Sequence, residues 1–136
     1  MTPSAPLMFH KDVFIPDFAK KPLFEGKVTY ARHAQNVSSG ANGIAALNLP
    51  EEFHAANATL VEAEVNPATG EVEKQVWRVP FDEQNDLCFP MMANGFIKTV
   101  WLNSRTDSHA TLRRTRYLGG YEWRKMKNKI GPNATH

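Results

Sequence analysis

The feature that most constrains the fold of this chain is an alternation of apolar and polar residues that recurs over residues 59–103. Successive side chains of a β-strand point to opposite faces of a sheet, so alternation with a period of two indicates strands with one buried face. The pattern restarts directly after Asn94-Gly95, a dipeptide typical of a tight β-hairpin turn. This region is therefore predicted to form an antiparallel sheet.

Four segments carry the alternation, and turn residues separate them. In the first segment, Val61, Ala63 and Val65 alternate with Glu62 and Glu64. Short connections rich in Asn, Pro, Gly and Asp favour hairpins between neighbouring strands. The predicted strands are Thr59–Val65, Glu71–Phe81, Leu87–Met92 and Phe96–Asn103. We therefore predict a four-stranded antiparallel meander.

Helices are predicted before the meander. Over residues 27–39, the apolar residues Val28, Ala31 and Ala34 recur at spacings that place them on one helical face. A second, short helix is predicted to begin at Pro50, because proline is favoured in the first turn of a helix and acidic residues follow it.

A short C-terminal helix is predicted over residues 110–117, with Gly119-Gly120 ending it. Together these elements predict an α+β fold, with N-terminal helices followed by a four-stranded antiparallel meander and a short C-terminal helix. There is no internal repeat and no low-complexity block.

The sequence divides into three parts. Residues 1–26 carry four prolines, which forbid a long helix, and several phenylalanines, which argue against a solvated disordered tail. We interpret them as an extended N-terminal arm that packs on the domain or on a neighbouring subunit, and a homo-oligomer formed through the arm is one expectation. Residues 27–118 are predicted to be a single α+β domain, and residues 119–136 a basic C-terminal tail.

Composition excludes several classes of protein. The chain has 136 residues and is 42% hydrophobic, which is typical of one globular domain. No apolar run approaches the ~20 residues needed to cross a bilayer, and the start lacks the pattern of a secretory signal. We expect a cytoplasmic protein with no membrane contact. Cys88 is the single cysteine and lies in an apolar run, which favours a buried thiol.

Charge is distributed unevenly along the chain. Residues 51–86 hold nine acidic and two basic side chains, a net charge of −7, whereas residues 105–129 hold eight basic and two acidic ones, a net charge of +6. Aromatic residues are interleaved with the bases, which suits an RNA or acidic protein partner. A solvated basic segment that binds nothing is the alternative. The predicted partner-binding residues are Arg113, Arg114, Arg116, Arg124, Lys125 and Lys127.

No strong catalytic signature occurs in the sequence, which lacks a phosphate-binding glycine loop, a His-Glu-x-x-His motif and a nucleophile elbow. We expect no metal and no cofactor. A diffuse set of side chains suits metal-independent cleavage of a phosphodiester, which needs a base, an acid and cations for the developing charge. The candidate catalytic residues are His33, Arg78, Lys98 and His109.

These candidates also have purely structural interpretations. His33 lies beside the apolar stripe of the predicted helix, where a histidine commonly makes a hydrogen bond at the boundary of the core. Lys74 and Arg78 face Glu62 and Glu64 across the predicted sheet, and the four side chains fit cross-strand charge pairs on a solvated face.

Five segments carry a resemblance to known proteins: Tyr30–Ala34, Val61–Val65, Lys74–Pro80, Ile97–Asn103 and Asp107–Leu112. In them the chain resembles a group of small phage and bacterial proteins of unassigned function, which implies a host cytoplasm or a virion as its location if it is phage-encoded. The layout of helices before an antiparallel meander resembles the RelE-like and barnase-like ribonuclease toxins, which implies metal-independent RNA cleavage with His33, Arg78 and Lys98 as counterparts of catalytic groups. The acidic residues of 59–73 depart from the basic character of those toxins.

Two functions follow from the sequence. The first is a binding or structural protein that holds a protein or nucleic-acid partner through its apolar arm and basic tail. The alternative is a metal-independent ribonuclease of the RelE-like or barnase-like type. Because no catalytic constellation is complete, we favour the binding protein.

Overall fold

The computed structural model describes residues 5–38, 48–106 and 114–135, and their regular secondary structure is mostly β. The strands are β1 (Leu7–His10), β2 (Gly26–Lys27), β3 (Thr29–Tyr30), β4 (Glu52–Phe53), β5 (Thr59–Val65), β6 (Val72–Pro80), β7 (Asn85–Met92), β8 (Phe96–Ile97) and β9 (Trp101–Ser104). The α-helices are α1 (Arg32–Ser38) and α2 (Gly120–Met126). Short 3₁₀ turns occupy Asp17–Lys20, Ala55–Asn57, Ala93–Gly95, Arg114–Arg116, Lys127–Lys129 and Pro132–Thr135.

Seven of the strands form one mixed sheet in the order β1-β5-β6-β7-β8-β3, and β9 pairs with the first half of β7. Neighbouring strands are antiparallel except β3 and β8, which run parallel with Tyr30 opposite Ile97. β2 and β4 form a separate two-stranded ribbon. The predicted fold, with N-terminal helices and a four-stranded meander, is therefore wrong. Strands precede and follow the seven residues of α1, and β1 and β3 widen the sheet.

The helix predicted over residues 27–39 forms only as the seven residues of α1, because the residues before it hydrogen-bond to distant segments. The backbone N–H of Val28 donates to the carbonyl of Glu51 at 3.1 Å, and that of Ala31 donates to the carbonyl of Ile97 at 2.8 Å. Such long-range bonds override a local helical pattern, especially where β-branched residues tolerate extended backbone. The helix predicted at Pro50 is also wrong, because the following residues form β4.

β5, β6 and β7 occupy the predicted positions of the first three strands, and the turn at Asn94-Gly95 is confirmed. Both turn residues have positive φ, 65° for Asn94 and 76° for Gly95. The fourth predicted strand is interrupted, since residues 98–100 lie outside β8 and β9. The interruption shifts the alternation: Ile97 and Val100 are both buried although they are three positions apart.

Two apolar clusters cover one face of the sheet. The first lies under α1 and the β2–β4 ribbon, and its largest buried side chains include those of Phe53, Trp77 and Phe89. The second lies against β1 and β5, where Phe9 packs edge-to-face on Trp123 with ring centroids 5.6 Å apart. Residues from both ends of the chain thus complete the second cluster.

The C-terminal residues pack on the sheet. Gly119-Gly120 begins α2 instead of ending a helix, and the N–H of Trp123 donates to the carbonyl of Gly119 at 3.0 Å. The first half of the helix predicted over residues 110–117 lies outside the described residues, and residues 114–116 form a 3₁₀ turn. Beyond α2, the N–H of Gly131 donates to the carbonyl of Pro67 in the β5–β6 turn.

Two further features bear on the class of protein. Cys88 is buried, as its apolar neighbours predict. Within residues 5–38, 48–106 and 114–135, no helix combines the length and the apolar character that crossing a bilayer requires.

Candidate functional site

The predicted catalytic residues do not all meet at one place. His33 is exposed on α1, Lys98 is exposed at the interruption between β8 and β9, and Arg78 is buried on β6. Parallel pairing of β3 with β8 brings the start of α1 and Lys98 to the same end of the sheet. Arg78 lies opposite Cys88 of β7, whereas β8 lies opposite Met91 of the same strand. The offset of three residues along β7 corresponds to about 10 Å. His109 lies outside the described residues.

Arg78 is held by a carboxylate and a carbonyl. Its Nε donates to Asp86 Oδ2 at 2.7 Å, and its Nη2 donates to the carbonyl of Ser104 at 2.7 Å. The second oxygen of Asp86 accepts from Nε of Arg105 at 3.1 Å. These contacts orient the guanidinium on the sheet surface, and only 8% of Arg78 is exposed.

The other charges of this sheet face are paired in two ways. Lys74 lies directly opposite Glu64, and Nζ of Lys74 is 3.2 Å from that carboxylate, which is a cross-strand pair. Glu62 instead accepts a hydrogen bond from the hydroxyl of Tyr117 at 2.5 Å. Burial, together with the Glu62 carboxylate, raises the pKa of Tyr117 to about 12, so this hydroxyl keeps its proton at neutral pH. A local pattern does not predict the contact, because 55 residues separate the two partners.

The exposed side chains of α2 and of the 3₁₀ turns on either side of it are mostly basic. Trp123 is buried against the second cluster, so α2 is oriented with Tyr121, which is 62% exposed, toward solvent. Nζ of Lys125 lies 4.4 Å from the centroid of the Tyr121 ring. We call this the α2 surface, and it consists of Arg116, Tyr121, Arg124, Lys125, Lys127 and Lys129, all of them exposed.

The α2 surface contains four of the six predicted partner-binding residues. Arg113 and the side chain of Arg114 lie outside what the structure describes. The one acidic side chain within α2 is Glu122, in its first turn. A cationic surface with an outward aromatic ring can neutralise phosphates and stack on a base, or can pair with carboxylates.

A separate apolar cleft opens between the β2–β4 ribbon and the main sheet, with a volume of 370 Å³. Its floor includes Phe53 and Phe89, and at its rim Glu52 lies 3.3 Å from Nε2 of His54. The hydroxyl of Tyr30 donates to the carbonyl of Pro50 at 2.5 Å, and burial raises the pKa of Tyr30 to about 12. Sequence reasoning missed this cleft because its walls come from segments that lie far apart in the chain.

Comparison with protein-family models, with curated proteins and with solved structures finds no match for this chain. The candidate sites therefore rest on its own residues.

Metal ligation was not predicted from the sequence. Among the residues that the structure describes, no group of three or more His, Cys, Asp or Glu side chains is arranged to hold a metal ion. The α2 surface is instead cationic, and cations bind anionic ligands.

Proposed function

We propose that the protein is a nucleic-acid-binding protein that holds a single strand on the α2 surface. The observation that carries the proposal is the outward ring of Tyr121 among exposed cations, on a helix whose orientation is set by the buried Trp123. An exposed aromatic ring offers a stacking platform for a base, and neighbouring cations neutralise the backbone.

A nucleic acid fits this surface better than an acidic protein does. An acidic protein would use only the cations of this surface. A base can also stack on the ring of Tyr121, which is 62% exposed, at little cost in side-chain entropy. Lys125 lies over one face of that ring, so a base would occupy the other face or displace the lysine toward a phosphate. Binding of this kind depends strongly on salt.

The apolar arm is not part of the proposed binding surface. Phe9, Ile15 and Ala19 are buried in the second cluster of the same chain, where they stabilise the platform on which α2 lies. The proposal therefore keeps the basic tail as the binding element and gives the arm a structural role.

The test is fluorescence anisotropy of labelled single-stranded RNA and DNA as a function of salt. The variant Arg124→Gln, Lys125→Gln, Lys127→Gln removes three cations of the α2 surface. We expect the affinity to fall by about tenfold or more, and the slope of log K against log salt to fall by about 2, because about 0.7 counterions are released per phosphate on a single strand.

The matched control is Lys20→Gln, Lys21→Gln, Lys27→Gln, which removes the same charge from exposed positions elsewhere. Tyr121→Ala should weaken binding while leaving the salt slope unchanged, because it removes stacking but no charge. Equal losses of affinity in both triple variants would show that binding depends only on net charge, which would contradict the proposal. Absence of any nucleic-acid binding would favour an acidic protein partner instead.

The ribonuclease hypothesis stays a prediction, and the same protein tests it. Labelled RNA is incubated in EDTA with the wild type and with His33→Ala. Cleavage by the wild type alone would support a metal-independent reaction that uses His33, and equal or absent cleavage would count against it.

A further inference from the structure

A second concentration of cations lies away from α2, in a cleft of 280 Å³ at the start of β5. The residues that line it are Lys11, Asn57, Thr59, Arg78, Pro80, Asp86 and Arg105. None of them belongs to the α2 surface. We call it the β5 cleft.

Backbone pairing assembles the β5 cleft from distant segments. Thr59 lies opposite Arg78 in the β5–β6 register, and Pro80 lies opposite Asp86 in the β6–β7 register. The N–H of Lys11 donates to the carbonyl of Val61 at 2.9 Å, and this bond holds the turn after β1 against β5. The cleft is therefore part of the sheet framework.

The backbone of Arg105 is fixed in the same way. Its N–H donates to the carbonyl of Gln84 at 2.9 Å, which anchors the end of β9 to the β6–β7 turn. The guanidinium of Arg105 is thereby carried to the rim of the cleft, where 44% of its side chain is exposed. A ligand arriving from solvent can reach it.

Charge in the β5 cleft is positive despite its carboxylate. Asp86 contacts Nε of both arginines, through Oδ2 to Arg78 and Oδ1 to Arg105, so one negative charge positions two cations. Lys11 contributes a third cation, and its Nζ also lies 3.1 Å from Asp12. The residues that line the cleft carry a net charge of +2, and two acids lie just outside the lining: Asp12 beside Lys11, and Asp82, which interacts electrostatically with Arg105.

The donors around the cleft are those that recognise tetrahedral oxyanions. Guanidinium groups supply forked N–H donors, and an ammonium adds a mobile point charge. The hydroxyl of Thr59 and the amide of Asn57 add neutral donors. The volume of 280 Å³ is about nine times the ~30 Å³ share of one water, enough for a phosphate and part of the group that carries it.

We propose that the β5 cleft binds a phosphate group, with Arg105 and Lys11 as its direct cationic contacts and Arg78 as the buried cation that keeps the site positive. The phosphate belongs either to a small phosphorylated molecule or to a nucleic-acid strand. Arg78, a candidate catalytic residue by sequence, thereby takes a role in binding. This assignment does not depend on the α2 surface.

The test is calorimetric titration of the full chain with inorganic phosphate, with chloride at matched ionic strength as the reference. We expect saturable binding that weakens by about tenfold in Arg105→Gln and in Lys11→Gln, since each loses a charge-assisted hydrogen bond. Lys27→Gln, which alters an exposed lysine of the β2–β4 ribbon, should bind phosphate as the wild type does. Circular dichroism confirms that each variant is folded.

Absence of saturable binding to the wild type, or equal binding by Arg105→Gln and the wild type, would overturn the proposal. The Arg124→Gln, Lys125→Gln, Lys127→Gln variant separates this site from α2: it should keep phosphate binding, and loss of binding would overturn the assignment to the β5 cleft. Competition then distinguishes the two sources. Displacement of phosphate by an oligonucleotide indicates a backbone phosphate, and displacement by a nucleoside monophosphate alone indicates a small ligand.

Discussion

At the scale of single residues, Gln75 holds the N-terminal arm on the sheet. It is fully buried, and its Nε2 donates to the carbonyls of Ala19 at 3.0 Å and Lys21 at 2.6 Å. Its Oε1 accepts from the N–H of Leu23 at 2.9 Å. One amide therefore satisfies three backbone groups of a segment that has no strand neighbour of its own. The sequence carries a signal of this role. Gln75 is polar but lies two positions before Trp77, so the alternation places it on the apolar face of β6.

Replacing Gln75 by Leu introduces an apolar side chain of similar size and removes all of these bonds. We expect a loss of about 2–4 kcal/mol in the free energy of unfolding, because buried backbone groups of the arm lose their partners. Urea unfolding followed by circular dichroism measures it. Gln84→Leu, in the exposed β6–β7 turn, is the control and should change stability by less than about 0.5 kcal/mol. Equal stability of the two variants would mean that the arm does not depend on this amide.

At the scale of elements, the C-terminal segment docks against the β5–β6 hairpin through close backbone contact. A Cβ on Gly131 would lie 2.3 Å from the carbonyl carbon of Thr69 and 2.6 Å from the carbonyl oxygen of Ala68. Only a glycine fits there without displacing the turn. Beside it, Ala134 is 3% exposed and Nδ2 of Asn133 lies 3.4 Å from Glu71. The segment after α2 is thus part of the packed structure.

Gly131→Ala should loosen this docking. We expect a loss of about 1–3 kcal/mol, because the added methyl group meets backbone that cannot rotate away. Hydrogen exchange of residues 127–135 should rise with it. Gly120→Ala is the matched control, since its Cβ would make an ordinary contact at 3.5 Å with Phe14 at the start of α2. A Gly131→Ala protein as stable and as protected as Gly120→Ala would contradict the docking.

At the scale of the whole molecule, the two ends of the chain lie in one structure. The N–H of Leu118 donates to the carbonyl of Met8 at 3.0 Å, and Phe9 packs on Trp123. Trp77 belongs to the first cluster and, together with Trp123, lines a cleft beside the second cluster, so the two clusters adjoin on one sheet face. Self-association through residues 1–26 stays a prediction, and Phe9, which is fully buried, is not available for it.

We therefore expect one cooperative unfolding transition. Tryptophan fluorescence and far-UV circular dichroism should give coincident urea curves, because loss of either cluster exposes the sheet that supports the other. Trp123→Phe removes the tryptophan of the second cluster. The difference between its fluorescence curve and that of the wild type therefore reports on that cluster. If the fluorescence change of that cluster came at a lower urea concentration than the loss of ellipticity, the arm and α2 would form a separate unit.

Features that depend on neighbouring residues follow from the sequence alone. Alternation with a period of two located β5, β6 and β7, and the preference of Asn and Gly for positive φ located the turn at Asn94-Gly95. An apolar run predicted that Cys88 is buried. Each of these signals lies within a few positions of the chain, where side-chain direction and backbone sterics act directly.

Which distant segments meet is known from the folded chain alone. The fold paired β1 with β5 and β3 with β8, docked α2 on the second cluster, and placed Arg78 between Asp86 and the carbonyl of Ser104. The α2 surface was foreseen as a basic stretch, but its orientation follows from the burial of Trp123. The β5 cleft was not foreseen at all. Its lining residues stretch from Lys11 to Arg105, and local periodicity carries no information about contacts over such separations.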